Sequence, residues 1–157
     1  MTIEEKIFYT IEEASHSLLL LKDNFYLIGS AALNLSGFEL DKMYDIDILV
    51  SDRDADFLRA EWDNRIIKEH ITSDDKLFSS KFGRYKFSVL DIEILGDLKV
   101  NKKGNWERLE ITEIESIAVG NFVIKIPTLN EQKRILQLFG REKDKKRIKL
   151  IDKQLFD

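Results

Sequence analysis

The stretch from Phe25 to Ser51 constrains the fold of this chain most strongly. It reads FYLIGSAALNLSGFELDKMYDIDILVS, and it opens with an apolar run of strand length that Gly29-Ser30 interrupts. Residues 31–35 then read as a short helix stopped by a glycine, and residues 45–50 as a second strand. The pattern predicts a strand–turn–helix–strand unit, and therefore an α/β (α+β) chain with a mixed sheet and helices packed against it.

Asp45 and Asp47 are the first chemically informative side chains of this unit. On a strand, residues i and i+2 share a face, so the two carboxylates point the same way and lie ~7 Å apart. Two negative charges at that spacing repel each other unless something positive lies between them. The second strand therefore predicts a cation site.

Gly29-Ser30 supplies the complementary chemistry. A strand that turns at glycine into a helix leaves unpaired backbone N–H groups at the helix start, and these groups favour phosphate. Glycine also lets a phosphate approach the backbone closely. Paired acids beside such a turn indicate a site for a metal–nucleotide complex.

These residues resemble the Gly-Gly/Ser…Asp-x-Asp pattern of the nucleotidyltransferase superfamily: Gly29-Ser30, fourteen residues (31 to 44), then Asp45-Ile46-Asp47 and apolar residues. The resemblance implies a third acid on a later strand, followed by two apolar residues. Glu93, which precedes Ile94-Leu95, fits that position better than Asp91. Asp91 remains the alternative third acid, because the side chains of Asp91 and Glu93 share one face of their strand.

The resemblance also implies a reaction, the transfer of a nucleoside monophosphate from an NTP, with ATP as the expected donor, to a hydroxyl acceptor. Gly29 and Ser30 would hold the β- and γ-phosphates. Asp45 and Asp47 would bind Mg²⁺ against them, and Glu93 would bind a second Mg²⁺ and help to deprotonate the acceptor. Asp91 is included among the candidate metal ligands.

The C-terminal residues 128–156 resemble the closing helices of small bacterial nucleotidyltransferase-like proteins, in which a Gly-Arg-x-Lys-Asp turn recurs. Gly140 to Asp144 has this form. Arg141 and Lys143 of the turn, and Lys42 before the second strand, are candidate cations for the phosphates. A solvated helix face with i,i+4 pairs explains the charge run at 141–145 equally well.

Three positions depart from the superfamily pattern. Many relatives have Arg-x-Thr just before Asp-x-Asp, where this chain has Asp41 and Met43, and a lysine in the penultimate helix, where it has Gln137. A cation missing near the triphosphate weakens nucleotide binding. These departures leave a second hypothesis open, in which the protein is catalytically weak or inactive and acts as an antitoxin-like or regulatory partner. A third reading is a metal-binding domain without nucleotide, which uses Asp91 with the other three acids.

Composition sets the outer bounds. A chain of 157 residues predicts one domain over 1–157, with its core at 25–95. The absence of cysteine suits a reducing cytoplasm, and no apolar run is long enough to span a membrane. A net charge of −4 argues against a nucleic-acid partner. The expected partners are the nucleotide and a small-molecule or protein acceptor, with a homodimer or a partner subunit completing the acceptor pocket.

The remaining elements follow from periodicity and cap signals. The patterns predict a helix over 3–22, a helix from Asp52 or Asp54 to about Ile67, a loop or broken helix over 72–82, a strand in the second half of 83–95, alternating strands and turns over 98–126, and a capping box at Thr128 and Glu131.

Overall fold

The structure, a computed structural model, describes residues 1–68 and 76–156. Its helices are α1 (Ile3–Leu18), α2 (Gly29–Leu35), α3 (Asp52–Glu61), α4 (Leu129–Phe139) and α5 (Glu142–Phe156), with a 3₁₀ turn at Asp63–Arg65. Its strands are β1 (Tyr26–Ile28), β2 (Asp45–Val50), β3 (Phe78–Tyr85), β4 (Asp91–Lys102), β5 (Asn105–Arg108), β6 (Ile114–Val119) and β7 (Phe122–Pro127). The chain is α+β, as predicted. None of the helices in the described ranges is both long and apolar enough to cross a bilayer.

The sheet that carries the acidic strands has the order β1-β2-β4-β3, and β5 pairs with the distal part of β4. β2 and β4 run parallel, whereas β1 is antiparallel to β2 and β3 is antiparallel to β4. The parallel register sets Asp45 opposite Asp91 and Asp47 opposite Glu93. β6 and β7 form a separate two-stranded sheet. The acids of two strands distant in sequence thus meet on one face.

Alternation over residues 45–48 of β2 and 91–94 of β4 divides an apolar face from an acidic one. Ile46, Ile48, Ile92 and Ile94 are buried in one core cluster that also contains apolar residues of α1. Full burial of such a side chain stabilises the fold by about 1.5–3 kcal/mol. A one-residue slip of either strand would expose its isoleucines, so the core determines which way the carboxylates point.

The two C-terminal helices pack over the acidic side of the sheet, beyond the acids themselves. Ile135 of α4 belongs to a cluster with Ile28 of β1 and Leu98 of β4. Leu136 and Ile151 pack against α2 in a third cluster. These contacts hold α4 and α5 beside the acids, where they form one wall of a cleft.

The loop before β1 corrects two helix boundaries. The helix predicted over 3–22 ends at Leu18, and the chain then turns so that the backbone N–H of Lys22 donates to the buried Asp54 carboxylate at 3.0 Å. Asp54 therefore anchors this loop and does not cap its own helix. The cap of α3 is Ser51, whose hydroxyl accepts the N–H of Asp54, and the helix ends at Glu61, well before residue 67.

β3 and β4 correct the prediction for the middle of the chain. Residues 78–82, predicted as a loop or broken helix, belong to β3, and residues 72–75 of that prediction lie outside the described residues. β4 runs through Gly96 without a break. A Cβ at Gly96 would lie 2.4 Å from the Cβ of Ala55 on α3, so glycine here allows close packing of helix on strand.

Glu131 at the start of α4 also differs from its predicted role. Thr128 caps the helix by accepting the Glu131 N–H, but the Glu131 side chain is directed elsewhere and is only 2% exposed. It accepts hydrogen bonds from the backbone N–H groups of Thr112 and Glu113 and pairs with Arg134. Burial alone would raise the pKa of Glu131, but the donors from Arg134 and Thr112 outweigh it and lower the pKa to about 2. The carboxylate therefore ties the loop before β6 to α4.

Replacing Glu131 with Gln is expected to destabilise the protein by about 1–3 kcal/mol at pH 7, because Gln cannot accept the same charge-assisted bonds. A carboxyl whose folded pKa is lowered stabilises the fold above its unfolded pKa and loses that contribution as the pH falls toward its folded pKa, here about 2. Urea unfolding at pH 7, 4 and 3 measures this, and the variant should approach wild type as the pH falls. The control is Glu142→Gln, since the Glu142 side chain is 85% exposed. A difference that persists unchanged at pH 3 would contradict the assignment.

Candidate functional site

Three of the predicted acids converge at one end of the sheet. Asp45 and Asp47 extend from β2 and Glu93 from β4, and one carboxylate oxygen of each lies within 4.8 Å of the others. All three side chains are partly buried. The register between the parallel strands produces this convergence, because it places residues 47 and 93 side by side.

Asp47 is the most enclosed of the three acids. Gly29, at φ +63°, lets the start of α2 approach so closely that a Cβ there would lie 3.0 Å from Asp47 Oδ2. Asp47 Oδ1 is buried and has no hydrogen-bond partner. Burial raises the pKa of Asp47 well above its usual range, and the hydrogen bond to Glu93 and the charges of Glu93 and Asp45 raise it further, against the opposing charge of Lys143.

The donor set fits a hard divalent cation. Mg²⁺ binds oxygen ligands, commonly one or two carboxylates completed by phosphate and water. A buried carboxylate oxygen without a donor, as at Asp47, calls for a positive partner. Asp45, Asp47 and Glu93 are the residues that would hold such an ion.

Arg84 extends from β3 into the same cluster. Its Nη1 donates to Asp45 Oδ2 at 3.0 Å and to Glu93 Oε1 at 2.6 Å. Its Nε and Nη2 both donate to Asp91 Oδ2, at 3.2 and 3.0 Å. The side chain is 15% exposed, so these bonds are only partly screened by water. One guanidinium thus links three of the four acids on β2 and β4.

Arg84 separates the roles of the two acids on β4. Asp91 is held by the guanidinium and lies outside the group of three converging carboxylates, whereas Glu93 lies within that group. Asp45 has a raised pKa, because burial and the charge of Glu93 outweigh the opposing effect of Arg84. The geometry thus favours Glu93 as the third acid of the cluster.

Basic side chains from α5 face the acids across the cleft. Arg147 Nη2 donates to the hydroxyl of Ser30 at 2.6 Å, which joins α5 to the start of α2. Lys143 lines the same cleft, and its charge acts on Asp47. Cations and acids therefore surround the strand–helix turn from opposite sides.

The other predicted cations are placed differently. Lys42 is exposed and does not line the cleft. Arg141 does line it, but its guanidinium is paired with the buried Asp144 at 2.7 Å, an arrangement that also caps α5. Gln137, which stands where the sequence resemblance led us to expect a lysine, is exposed.

The cleft has a volume of about 570 Å³, which lies within the range of small-molecule sites. Its lining contains the acids, Ser30 and the α5 cations. It also contains apolar side chains, among them Phe78, Phe82, Leu98 and Ile135. A ligand with a charged part and a flat or apolar part matches this mixed lining.

Sequence reasoning missed Arg84 and Arg147. Reading residues 72–82 as a loop concealed β3, and with it the register that sets Arg84 opposite Glu93. Arg147 follows Lys143 by four residues, so the two lie on the same face of a helix. That spacing was visible in the sequence and could have identified Arg147.

The comparison with solved structures supports the fold. The chain is similar to a "putative nucleotidyltransferase" from Thermotoga maritima, with a TM-score of 0.75 and 21% identity over 98% of this chain and 96% of that one. No protein-family model and no curated protein matches the chain. At this identity the likeness concerns the fold, which is nucleotidyltransferase-like, as the sequence resemblance predicted.

Replacing Asp47 with Asn is expected to raise the melting temperature in metal-free buffer, because it removes a buried negative charge beside Asp45 and Glu93. A gain of roughly 2–4 °C corresponds to about 1 kcal/mol in a chain of this size. Thermal unfolding in the presence of EDTA measures it. The exposed Asp41→Asn is the matched control and should change little. A clear loss of stability in Asp47→Asn would mean that this carboxylate serves the fold.

Proposed function

We propose that this chain is a Mg²⁺-dependent nucleotidyltransferase, which moves a nucleoside monophosphate from an NTP, with ATP as the expected donor, to a hydroxyl acceptor. The proposal takes residues 1–157 as one nucleotidyltransferase-like domain. It depends above all on one observation, the convergence of Asp45, Asp47 and Glu93 beside the turn at Gly29. Fold likeness alone would not suffice, because one fold supports many functions.

The residues around the cleft divide into two groups with complementary charge. Asp45 and Asp47 would hold the cation, and Glu93 would share in holding it while it faces the acceptor. Ser30, Lys143 and Arg147 would bind phosphate oxygens, because hydroxyl and cationic N–H donors are the groups that recognise phosphate. Arg141 also lines the cleft, but we assign it no phosphate contact, because its guanidinium is already paired with Asp144.

The chemistry is an in-line displacement at the α-phosphorus. The acceptor hydroxyl oxygen forms a bond to the α-phosphorus, the bond from that phosphorus to the bridging oxygen breaks, and pyrophosphate leaves with the electron pair. Glu93 takes the hydroxyl proton, a role that suits a carboxylate held near a developing nucleophile. Bound Mg²⁺ would supply Lewis-acid stabilisation of the phosphate charge. Lys143 and Arg147 stabilise the negative charge on the leaving pyrophosphate.

The acceptor is part of the same proposal. The apolar side chains that line the cleft, Phe78 and Phe82 among them, suit the carbon skeleton of a small molecule or a protein side chain near its hydroxyl. A homodimer or a partner subunit would complete the acceptor pocket. The net charge of −4 disfavours a nucleic-acid acceptor, and a cytoplasmic location supplies the nucleotide.

Labelling tests the reaction. Incubation of the protein with α-³²P-labelled nucleotides, Mg²⁺ and a lysate of its host should label an acceptor with nucleoside monophosphate. Glu93→Gln should lower the transfer by about 10²–10⁴-fold, because a general base is lost. The variant should keep Mg²⁺-dependent nucleotide binding, since Asp45 and Asp47 remain.

The control for this experiment is Glu107→Gln on β5, an exposed residue outside the cleft. It should transfer at the wild-type rate. Transfer that survives unchanged in Glu93→Gln would refute the role of Glu93. A wild-type protein that binds no nucleotide and labels nothing would refute the enzymatic proposal.

The second candidate is a catalytically inactive protein of the same fold, acting as an antitoxin-like or regulatory partner. A specific observation favours it: Arg84 forms ion pairs with Asp45 and Glu93, two of the acids that would hold the metal. The departures at positions 41, 43 and 137 point the same way. Calorimetry of each ribonucleotide with and without Mg²⁺ separates the candidates, because an inactive partner of this kind would bind no nucleotide under either condition.

Arg147 provides a prediction for nucleotide binding. Arg147→Gln should weaken the binding of Mg²⁺–ATP by about tenfold, which is the loss expected when one charge-assisted hydrogen bond to phosphate disappears. Calorimetry measures the dissociation constant. The control is Lys146→Gln, which removes the same charge from an exposed position next in sequence and outside the cleft. Equal losses in both variants would indicate general charge attraction and not a phosphate contact by Arg147.

A further inference from the structure

Arg84 occupies the space between the two acidic strands in a way that the proposed reaction does not use. A single nitrogen, Nη1, lies within 3.0 Å of an oxygen of Asp45 and 2.6 Å of an oxygen of Glu93. Asp45 and Glu93 are two of the three residues that would hold a cation. A positively charged N–H group therefore already occupies the position between two of the three carboxylates.

The other side of the guanidinium is anchored separately. Nε and Nη2 both donate to Asp91, which stands outside the converging group. The carboxylates of Asp45 and Glu93 can therefore turn from Nη1 toward a metal ion while Arg84 keeps its two hydrogen bonds to Asp91. A lysine could not do both, because it lacks the planar fork of donors.

Charge balance decides when such a release is favourable. A divalent cation that enters alone must compete with the guanidinium for the same carboxylates, and the displaced N–H groups lose a charged partner in a partly buried site. A nucleotide changes this balance, because its phosphates supply new negative charge for cations in the cleft. Metal and nucleotide entering together thus meet less opposition than metal alone.

We propose that Arg84 makes divalent-cation binding depend on the nucleotide: its guanidinium stands in for the metal between Asp45 and Glu93 until a nucleotide phosphate is present. Arg84 thereby determines whether the site binds a divalent cation alone or together with a nucleotide, and Asp91 anchors its guanidinium. The metal-free protein keeps its acidic strands together through this ion pair. The dependence on nucleotide rests on the proposed function, whereas the competition between Arg84 and the metal for Asp45 and Glu93 does not.

Titration with Mn²⁺ alone tests whether Arg84 competes with the metal. Electron paramagnetic resonance measures the concentration of free Mn²⁺ at each step. Wild-type protein should bind Mn²⁺ weakly, and Arg84→Gln should bind it about tenfold tighter or more, because no charge-assisted bond has to be broken first. In EDTA, Arg84→Gln should melt at a lower temperature than wild type, and Mn²⁺ should restore it. The melting temperature of wild type should not respond to Mn²⁺ alone.

A matched control separates direct occupation from general charge. Arg147→Gln removes another positive charge that lines the cleft but is hydrogen-bonded to Ser30 and not to the acids. It should change Mn²⁺ affinity by less than about threefold, as expected for a screened charge. Equal tightening in Arg147→Gln and Arg84→Gln would overturn the proposal. So would wild-type protein that binds Mn²⁺ alone as tightly as Arg84→Gln.

Arg84→Lys carries the test if Arg84→Gln does not fold. It keeps the charge but cannot hold Asp91 and bridge Asp45 to Glu93 at once, so its Mn²⁺ affinity should exceed that of wild type. An affinity equal to that of wild type would contradict the role of the guanidinium fork.

The dependence on nucleotide is tested by repeating the Mn²⁺ titration with α,β-methylene ATP. The analogue should strengthen Mn²⁺ binding to wild type several-fold more than to Arg84→Gln. Equal strengthening in both proteins would overturn the dependence on nucleotide. If wild type binds no nucleotide, the proposed function fails on that result alone, while the titrations with metal alone still decide whether Arg84 competes for the carboxylates.

Discussion

The parallel pairing of β2 with β4 is the constraint on which the rest of the site depends. It sets two pairs of acids side by side, with their isoleucines buried on the opposite face. The strands cannot separate or slip without exposing those isoleucines, so the core holds like charges together. Hydrophobic burial thus imposes an electrostatic strain that other elements must relieve.

The relief comes from elements other than the two acidic strands. Arg84 reaches the cluster from β3, and Lys143 and Arg147 approach from α5. Two glycines allow other close contacts with the acidic strands: Gly29 lets α2 come close to Asp47, and Gly96 lets α3 pack on β4. The site is therefore built from five elements and lies in a cleft between the sheet and the C-terminal helices. Its chemistry depends on how those elements pack.

Much of the fold followed from local patterns. β2 and the helix before it were predicted within two residues, because alternation and the glycine break are strong signals over short distances. β3 was missed at residues 78–82, since FSSKF alternates weakly and its pairing partners are 13 residues or more away in sequence. Asp54 was taken for a cap because acids commonly start helices, whereas a long-range contact with the loop at Lys22 determined its role.

The sequence alone determined the acidic pair of β2 and the glycine turn before it, because these needed only the two-residue period of strands and the glycine break. Glu93 as the third acid came from the resemblance to the nucleotidyltransferase superfamily, which left Asp91 as an alternative. Tertiary structure decided which charges face those acids. Arg84 meets them through strand register, Asp91 is taken up by its guanidinium, and Arg147 replaces Lys42 as the cation near Ser30. Local patterns did not predict these partners, because strand pairing brings Arg84 to Asp91, Glu93 and Asp45, which are 7, 9 and 39 positions away. Helix packing brings Arg147 to Ser30, 117 positions away.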